Sequence, residues 1–428
     1  MLRLDSSAAD FGARFKALVD ARRDVDREVS GDVAAILADV RARGDASLVE
    51  QTAKFDRFDL DALGWKIPLA DCQVALAALE PELRQALDLA AIRIRGYHEK
   101  QRPQDRDTID DAGVRLGARW LPVDAAGIYV PGGRAAYPSS VLMNAIPAKV
   151  AGVERLVMVT PAPDGNVNPL VLAAAALSGV DEVWRIGGAQ AIGALAYGTE
   201  TIAPVDVITG PGNAWVAEAK RQVFGVVGID MIAGPSEILV VADGENSPDW
   251  IAADLLSQAE HDPSSQSILM TDDPEFADRV ADAVERKLAL LSTEDTARAS
   301  WRANGAIIIV RNLMDTASLI DQLAPEHLEL AIADPEPLFA RVRHAGSIFL
   351  GRHTPEAIGD YVGGPNHVLP TGRRARFSSG LSVLDFMKRT SFLACDEKSI
   401  RAIGPAAVAL ASAEGLPAHA DSILERLA

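Results

Sequence analysis

The sequence predicts an α/β protein made of two tandem, incomplete Rossmann-like αβα modules, with helices before them and a small helical appendage after them. Three observations predict this class. Apolar residues recur every three or four positions over roughly the first hundred residues, which is typical of amphipathic helices. Apolar runs typical of buried parallel strands then alternate with helical segments in two successive series. After about Thr371 the chain becomes basic and then helical, without another βαβ unit.

The N-terminal region is predicted to be mainly helical. From Ala8 to about Pro103, segments such as DVAAILADVRARG and QVALAALEPELRQALDLAAIRIRGY have the helical period. The pattern changes at Val114, where GVRLGARWLPV and GIYVPGG are interpreted as strands. We therefore expect residues 1–125 to pack as a helical region on the catalytic module.

The two series of strands and helices predict two modules of similar shape. Residues 126–236 contain the strand-like runs RLVMVT, EVWRIGG and VDVITG between helical segments such as NPLVLAAAALSG, AQAIGALAYG and NAWVAEAKRQVFG. Residues 237–378 contain EILVVAD, QSILMTDD, GAIIIV and SIFLG, with PDWIAADLLSQAEH and PEFADRVADAVERKLALL as helices. Each series predicts a parallel sheet covered on both faces. Residues 379–428 form the predicted appendage.

Composition excludes several classes of protein. A chain of 428 residues with 48% hydrophobic content is too long for one compact core, so at least two domains are expected. Its 42 Lys and Arg against 60 Asp and Glu give a net charge of −18, which disfavours nucleic acid and anionic membranes as partners. Cys72 and Cys395 are far apart, and no apolar run approaches the ~18 residues of a membrane span. We expect a cytoplasmic protein.

Three strands end in glycine-bearing turns that are predicted to open helices: Tyr129-Val-Pro-Gly-Gly133, Ile186-Gly-Gly-Ala-Gln190 and Thr209-Gly-Pro-Gly-Asn213. Such turns meet at the carboxyl edge of a doubly wound sheet, where backbone N–H groups receive phosphates. Tyr129, Gln190 and Asn213 could hold a ribose or an adenine there, or could serve only capping and loop packing. Neither GxGxxG nor GxxxxGK[ST] occurs, so the usual nucleotide motifs are missing.

Four of the seven histidines lie in polar, turn-rich phrases. Gln258 and His261 in LLSQAEH are three residues apart near the end of a predicted helix and share one face. GDYVGGPNHVLPTG carries Asp360 and His367, and EGLPAHADS carries Glu414 and His419. Imidazole, carboxylate and amide groups together suit zinc, and also manganese or cobalt. The alternative at each position is a surface or hydrogen-bonded histidine.

The fourth phrase, LAPEHLEL, joins an acid to a histidine. Pro325 suits the first position of a helix, which would place Glu326 and His327 in the first helical turn. The helix dipole there would favour an ionised Glu326 and a neutral His327, the form that acts as a general base. The alternative is an ordinary N-terminal acid beside a solvated histidine.

Several phrases together resemble the histidinol dehydrogenase family across essentially the whole chain. They are AGIYVPGG, PSSVLMNAIPAKVAGV, IGGAQAIGALAYGT, ITGPGN, AGPSEILVVAD, DLLSQAEHDP, LAPEHLEL, GDYVGGPNHVLPT and EGLPAHADS. The resemblance implies an NAD-dependent, zinc-containing homodimer. Its reaction would convert L-histidinol to L-histidine through L-histidinal, as the last step of histidine biosynthesis, and reduce two NAD per turnover.

The resemblance also implies roles for residues at matching positions. The zinc ligands would be Gln258, His261, Asp360 and His419, with His419 donated by the partner subunit. The residues around the substrate would be Ser236, Gln258, His261, His327, Asp360, His367, Glu414 and His419. Tyr129, Gln190 and Asn213 would face NAD. Residues 126–236 would then be the NAD-binding module, 237–378 the module with the zinc and substrate site, and 379–428 the dimerisation appendage.

A two-stage mechanism is the hypothesis that these roles suggest. His327 takes the hydroxyl proton while a hydride leaves for NAD, and Glu326 activates the water that hydrates the aldehyde before a second hydride leaves. Zinc anchors the imidazole and amino groups of the substrate. One rival is a zinc and NAD alcohol dehydrogenase whose metal binds the alkoxide directly. The other is a non-redox zinc-binding relative with the same fold.

Overall fold

The computed structural model describes residues 1–21, 29–132, 137–232 and 234–428. The strands are β1 (Leu2–Asp5), β2 (Lys66–Ile67), β3 (Arg106–Ile109), β4 (Arg115–Pro122), β5 (Ala125–Tyr129), β6 (Arg155–Val159), β7 (Glu182–Trp184), β8 (Val207–Thr209), β9 (Gly228–Ile229), β10 (Glu237–Ala242), β11 (Gln266–Thr271), β12 (Ala306–Ile309), β13 (His327–Ala331), β14 (Ser347–Leu350) and β15 (Met387–Ala394). The helices are α1 (Phe11–Asp20), α2 (Ser30–Arg43), α3 (Asp45–Asp56), α4 (Leu60–Leu63), α5 (Leu69–Ala77), α6 (Pro81–Glu99), α7 (Pro138–Ala151), α8 (Pro169–Ser178), α9 (Gly188–Tyr197), α10 (Ala214–Val223), α11 (Pro248–Ala259), α12 (Pro274–Leu288), α13 (Glu294–Asn304), α14 (Ala317–Leu323), α15 (Glu336–Phe339), α16 (Glu356–Ile358), α17 (Glu397–Ala413) and α18 (Pro417–Leu427).

The first module is a doubly wound sheet with strand order β2-β7-β6-β5-β8-β9. The strands β5 to β9 run parallel, and β2 joins the edge strand β7 in antiparallel orientation. Apolar side chains of both faces are buried, because helices cover each face. The order changes direction between β5 and β8, so the switch point of this module lies at the carboxyl ends of those two strands.

The second module repeats the arrangement with strand order β1-β12-β11-β10-β13-β14. All its strands run parallel, and its buried residues again fill both faces. The prediction of two tandem, incomplete Rossmann-like modules is therefore confirmed. Each sheet also gains one strand from the N-terminal region beside its third strand, β2 in the first module and β1 in the second.

A third, antiparallel sheet connects the N-terminal region with the C-terminal appendage. β15 pairs with β4 from Met387 opposite Pro122 to Ala394 opposite Arg115, and β3 pairs with the other side of β4. Helices α17 and α18 follow β15 and pack on each other. The appendage is helical as predicted, but its strand β15 was not foreseen. No helix within the described ranges is long and apolar enough to cross a membrane.

The prediction that Glu326 and His327 begin a helix is wrong. His327 is the first residue of β13, and all five residues of this strand are buried between β10 and β14. The preceding helix, α14, ends at Leu323, and Ala324 takes a left-handed conformation with φ 40°. Pro325 therefore follows the end of one helix instead of opening another, which is a common position for proline.

Candidate active site

A cleft of about 340 Å³ lies at the switch point of the first module. Tyr129 at the end of β5, Gln190 in the first turn of α9 and Asn213 just before α10 all line it. Gly187 and Gly188, from the turn before α9, line the same cleft. Asn213 belongs to the turn before α10, so two of the predicted glycine turns meet there. In the remaining turn, which follows β5, Pro131 and Gly132 line the cleft, and Gly133 lies outside the described residues. The structure thus brings together the three side chains that the sequence assigned to a nucleotide.

The polar groups of this cleft have defined partners. The Tyr129 hydroxyl accepts a hydrogen bond from the Gly188 N–H at 3.1 Å, so its own proton is available to a ligand. Burial raises the pKa of Tyr129 to about 12, which keeps the hydroxyl neutral. The side chain of Asn213 accepts from the N–H groups of Trp215 and Val216, so the capping role considered for this residue is real. Its NH₂ group can still donate to a ligand.

A buried ion pair fixes the turn after β8. The ammonium group of Lys220 contacts the carboxylate of Asp230 and donates to the Gly210 carbonyl at 2.9 Å. Asp230 also accepts from the Gly210 N–H at 2.8 Å. Gly210 has φ 112°, and a Cβ atom there would collide with the backbone of Tyr129. Both backbone polar groups of this glycine are therefore held by one pair of charges.

Replacing Lys220 with Met is expected to destabilise the fold by about 3 kcal/mol, because it leaves the Asp230 charge buried without its partner. The side chains of Lys220 and Asp230 are only 2% and 1% exposed. Urea unfolding measures the loss. Lys149→Met is the matched control, because Lys149 and Asp181 form an ion pair that is 21% and 42% exposed and should contribute less than about 1 kcal/mol. Equal losses in the two variants would contradict this account.

The corresponding edge of the second module is filled by its own side chains. The Asp243 carboxylate, just after β10, accepts from the Ala333 N–H at 2.9 Å and from Arg352 at 2.8 Å. At the switch point of this module, between β10 and β13, the Ala333 N–H therefore already donates to a carboxylate of the protein itself.

The acid and histidine of LAPEHLEL lie at the amino end of the second sheet and share one anchor, the backbone of Glu237. The Glu237 N–H donates to Oε2 of Glu326 at 2.9 Å, and its carbonyl faces Nδ1 of His327 at 3.1 Å. A carbonyl only accepts, so Nδ1 carries the proton and Nε2 presents a lone pair. Nε2 is buried and has no hydrogen-bond partner among the described residues. His327 is thus held in the tautomer that a general base requires.

Burial controls the ionisation of both side chains. It raises the pKa of Glu326 well above its ordinary value, and the nearby carboxylates of Glu237, Glu356 and Asp360 raise it further. It lowers the pKa of His327 to about 4, against the opposing charge of Asp360. The neutral His327 expected from the sequence is therefore present, but desolvation is its cause. The expected stabilisation of an ionised Glu326 by a helix dipole is wrong, since no helix begins there.

Two carboxylates face the free nitrogen of His327. Its Nε2 lies 3.5 Å from Oε1 of Glu356 and 3.8 Å from Oδ1 of Asp360, and one ligand atom from each of the three residues lies within 4.8 Å of the others. Sequence analysis missed Glu356. Its spacing could have revealed it, because Glu356 precedes Asp360 by four residues in TPEAIGDY, the interval that places two side chains on one helical face.

The other residues predicted to bind zinc or the substrate lie around this cluster, and they differ in burial and in hydrogen bonding. Gln258, in the last turn of α11, is fully buried, and neither its oxygen nor its nitrogen has a partner among the described residues. His261 follows the helix and is exposed, close enough for its charge to lower the pKa of both His327 and His367. His367 donates from Nδ1 to the Asp360 carbonyl at 3.0 Å, which leaves its Nε2 for a ligand. Half-buried Ser236 lies directly before β10.

The loop that carries Asp360 and His367 is held by α6. Arg93 donates to the carbonyls of Val362 and Gly363, the latter at 3.0 Å. Gly364 has φ 110° and lies against the backbone of Arg93. Within this loop, Asp360 lies in a short π-helical turn over Gly359–Gly363, a feature often found at functional sites.

Glu414 and His419 are the two predicted residues that the chain does not bring into this cluster. Glu414 caps the end of α17 and His419 lies in the first turn of α18, and both are exposed on the appendage. No contact within the described residues joins either side chain to His327 or Asp360.

The fold and these two sites define an α/β enzyme with two Rossmann-like modules, a cleft at the switch point of one and an acid–base centre on the other. A family model described as histidinol dehydrogenase matches residues 20–427. The histidinol dehydrogenase of Zymomonas mobilis subsp. mobilis is 64% identical over 427 residues, with 100% of this chain and 99% of the relative covered. That of Rhodospirillum rubrum is also 64% identical over 427 residues, with 100% and 98% covered.

A solved structure agrees with these relatives. The crystal structure of histidinol dehydrogenase from Elizabethkingia anophelis matches with a TM-score of 0.94 at 36% identity, and the match covers 100% of this chain and 98% of that chain. The chain therefore belongs to the histidinol dehydrogenase family, and it is an oxidoreductase. The resemblance predicted from the sequence is confirmed, and a non-redox relative is not favoured.

Proposed function

We propose that the protein oxidises L-histidinol to L-histidine in two hydride transfers to NAD, through L-histidinal, with a bound zinc ion. As a member of the histidinol dehydrogenase family, it acts at the last step of histidine biosynthesis. The observation that carries the proposal is the orientation of His327, whose Nδ1 is bound to the Glu237 carbonyl while Nε2 is buried and unpartnered beside two carboxylates. An oriented, neutral imidazole is the group that can remove a hydroxyl proton.

The cleft of the first module supports NAD as the hydride acceptor. Tyr129, Gln190 and Asn213 line it together, and the N-termini of α9 and α10 open onto it at Gly188 and Asn213. Backbone N–H groups at helix N-termini favour phosphates. We assign Tyr129, Gln190 and Asn213 to contacts with NAD on this ground.

The donor set around Asp360 fits a zinc ion. The buried amide of Gln258 has no partner among the described residues, a costly condition that a ligand at its oxygen would relieve. We propose Gln258, His261, Asp360 and His419 of the partner subunit as ligands, a nitrogen and oxygen set that suits zinc. Bound zinc would supply positive charge that holds the substrate in place. Ser236, His367 and Glu414 are assigned to the substrate.

The protein side chains carry the proton transfers. His327 accepts the hydroxyl proton of histidinol as a hydride leaves its carbon, which yields histidinal, NADH and one proton. Glu326 removes a proton from water as the water adds to the aldehyde, and the protonated His327 gives its proton to the carbonyl oxygen, which leaves a gem-diol and a neutral His327. His327 then accepts a hydroxyl proton from the gem-diol as the second hydride leaves, which yields the carboxylic acid and a second NADH. The acid ionises to histidine.

We also propose a homodimer. The appendage exposes large apolar side chains, among them Leu393 at 63% and Leu410 at 66%, which a second subunit would cover. Glu414 and His419 are exposed on the same appendage and would reach the partner's site. The proposed limits are 1–125 for the N-terminal region, 126–236 and 237–378 for the modules, and 379–428 for the dimerisation appendage. A cytoplasmic location is proposed because Cys72 and Cys395 form no disulfide.

The deciding experiment counts NADH formed per L-histidinol consumed, before chelation, after chelation and after zinc is restored. Two NADH per histidinol, lost with the metal and restored by zinc, are expected. One NADH would mean that oxidation stops at the aldehyde, and none would exclude the redox function. Turnover of an amino alcohol that lacks the imidazole is the control, because good activity would favour the rival zinc and NAD alcohol dehydrogenase instead.

A further inference from the structure

The first module lacks an acidic residue where Rossmann-like folds usually have one. In such folds an Asp or Glu at the end of the second strand binds the ribose hydroxyls of NAD's adenosine half. The second strand of this module is β6, and the residues that follow it are Thr160, Pro161 and Ala162. None of the three is acidic.

A carboxylate reaches this place from another element. Asp56, the last residue of α3, lines the cleft together with Pro161 and Tyr129 and is 7% exposed. Its Oδ2 accepts a hydrogen bond from the Ala162 N–H at 3.1 Å, which fixes it at the end of β6. No other hydrogen bond among the described residues involves this carboxylate, so Oδ1 remains able to accept from a ligand.

We propose that Asp56 binds the ribose hydroxyls of the adenosine half of NAD and excludes the 2′-phosphate of NADP, and so sets the choice of dinucleotide. The assignment rests on the proposed NAD-dependent function. A carboxylate accepts hydrogen bonds from the two ribose hydroxyls, but it repels a phosphate dianion in the same place. Asp56, from the N-terminal region, thereby provides the acid that is missing from the residues directly after β6.

Asp164 is the first acid along the chain after this strand, and it does not fit the role. It lies outside the residues that line the cleft, and its carboxylate is bound by the Arg57 guanidinium at 2.9 and 2.7 Å. Its side chain is 60% exposed. Asp164 therefore provides a matched control of the same residue type near the same strand.

The test measures the dissociation constants of NADH and NADPH by fluorescence, using transfer from Trp215 in the cleft, for the holoenzyme and its variants. The wild type should bind NADH far more tightly than NADPH. Asp56→Asn keeps an acceptor for the Ala162 N–H but removes the charge, and should lower the preference for NADH by roughly 10- to 100-fold. Asp164→Asn should leave the preference for NADH unchanged, because Asp164 lies outside the cleft. The variant should also fold, because asparagine tolerates the left-handed backbone, φ 53°, at this position.

A second measurement is independent of how the variants fold. ADP should displace NADH from the wild-type enzyme, and the same nucleotide with an added 2′-phosphate should not. An unchanged preference in Asp56→Asn, or equal displacement by the two nucleotides in a wild type that binds NADH, would overturn the role of Asp56 alone. A wild type that binds neither NADH nor ADP would overturn the NAD-dependent function together with this assignment.

Discussion

Replacing His327 with Asn is expected to reduce kcat by roughly a thousandfold for both oxidation steps, which is the usual contribution of a positioned general base. The asparagine amide can still donate to the Glu237 carbonyl, so the local hydrogen bond has a substitute. It cannot accept a proton at neutral pH. The measurement is NADH formation from L-histidinol and, separately, from L-histidinal. Both rates should fall, because the proposed mechanism has His327 accept the proton that accompanies each hydride.

His353→Asn is the control for this variant, since His353 is exposed and its ring contacts Trp250 away from the proposed base. It should retain wild-type rates. Bound zinc, measured by metal analysis, should remain in His327→Asn because His327 is not among the proposed ligands. If either half-reaction kept more than about a tenth of its rate, another group would have to be the base.

The surroundings of His327 explain how a buried imidazole can accept a proton. Desolvation opposes the positive charge, but the carboxyl groups of Glu356 and Asp360 lie 3.5 and 3.8 Å from Nε2. Glu356 is held in turn by Ser257, whose hydroxyl donates to its Oε2 at 3.1 Å. Glu329 accepts from the Glu356 N–H at 2.6 Å and fixes the start of α16. Burial raises the pKa of Glu356 well above its ordinary value, so the charge of Asp360 is the one that favours an imidazolium, and it is already in place before the proton arrives.

Much of the fold could be predicted because buried parallel strands leave a strong local signal. RLVMVT, EILVVAD and GAIIIV are short apolar runs, and each contains a central strand of its sheet, β6, β10 and β12 respectively. Two of the strands that sequence analysis missed, β1 and β15, depend on distant partners. β1 is only four residues long and pairs with β12 from about three hundred positions away, and β15 pairs with β4 across a similar separation. Periodicity within a segment contains no information about such partners.

Pro325 led to the wrong prediction that Glu326 and His327 begin a helix, and the reason is physical. Pro325 suits both the first turn of a helix and the residues just after one, and only the left-handed Ala324 before it decides between them. The alternation in HLEL, with Leu328 and Leu330 buried on one face, was the signal for a strand. Glu329 on the other face is also buried, so the pattern offered no exposed side to recognise.

The candidate site was predictable in its residue types but not in its assembly. Tyr129 ends one strand of the first sheet, and Gln190 and Asn213 follow two others. Because the carboxyl ends of parallel strands meet at one edge, their proximity could be predicted. His327 and Asp360 meet at the opposite, amino end of the second sheet, for which no comparable rule exists. Glu414 and His419 are exposed on the appendage, outside this cluster, and no local pattern in the sequence indicated that position.

Replacing Glu326 with Gln is expected to separate the two half-reactions. The amide oxygen of the introduced glutamine would still accept from the Glu237 N–H, as Oε2 of Glu326 does at 2.9 Å, so the shape of the site should survive. Oxidation of histidinal should fall by roughly a hundredfold, because the amide cannot remove a proton from water. Oxidation of histidinol to histidinal needs no water, and its rate should stay within about threefold of wild type. Single-turnover NADH formation from each substrate measures the two steps.

The pH dependence of the same two steps provides an independent check. Burial and the neighbouring carboxylates raise the pKa of Glu326, so the carboxyl group keeps its proton to higher pH than an exposed glutamate would. The water-activating step requires the ionised form, so histidinal oxidation should increase as pH rises through that raised pKa. Glu326→Gln should abolish this increase and leave the histidinol step unaffected. An equal loss of rate in both half-reactions would instead assign Glu326 to positioning His327, because a distorted base impairs both proton transfers alike.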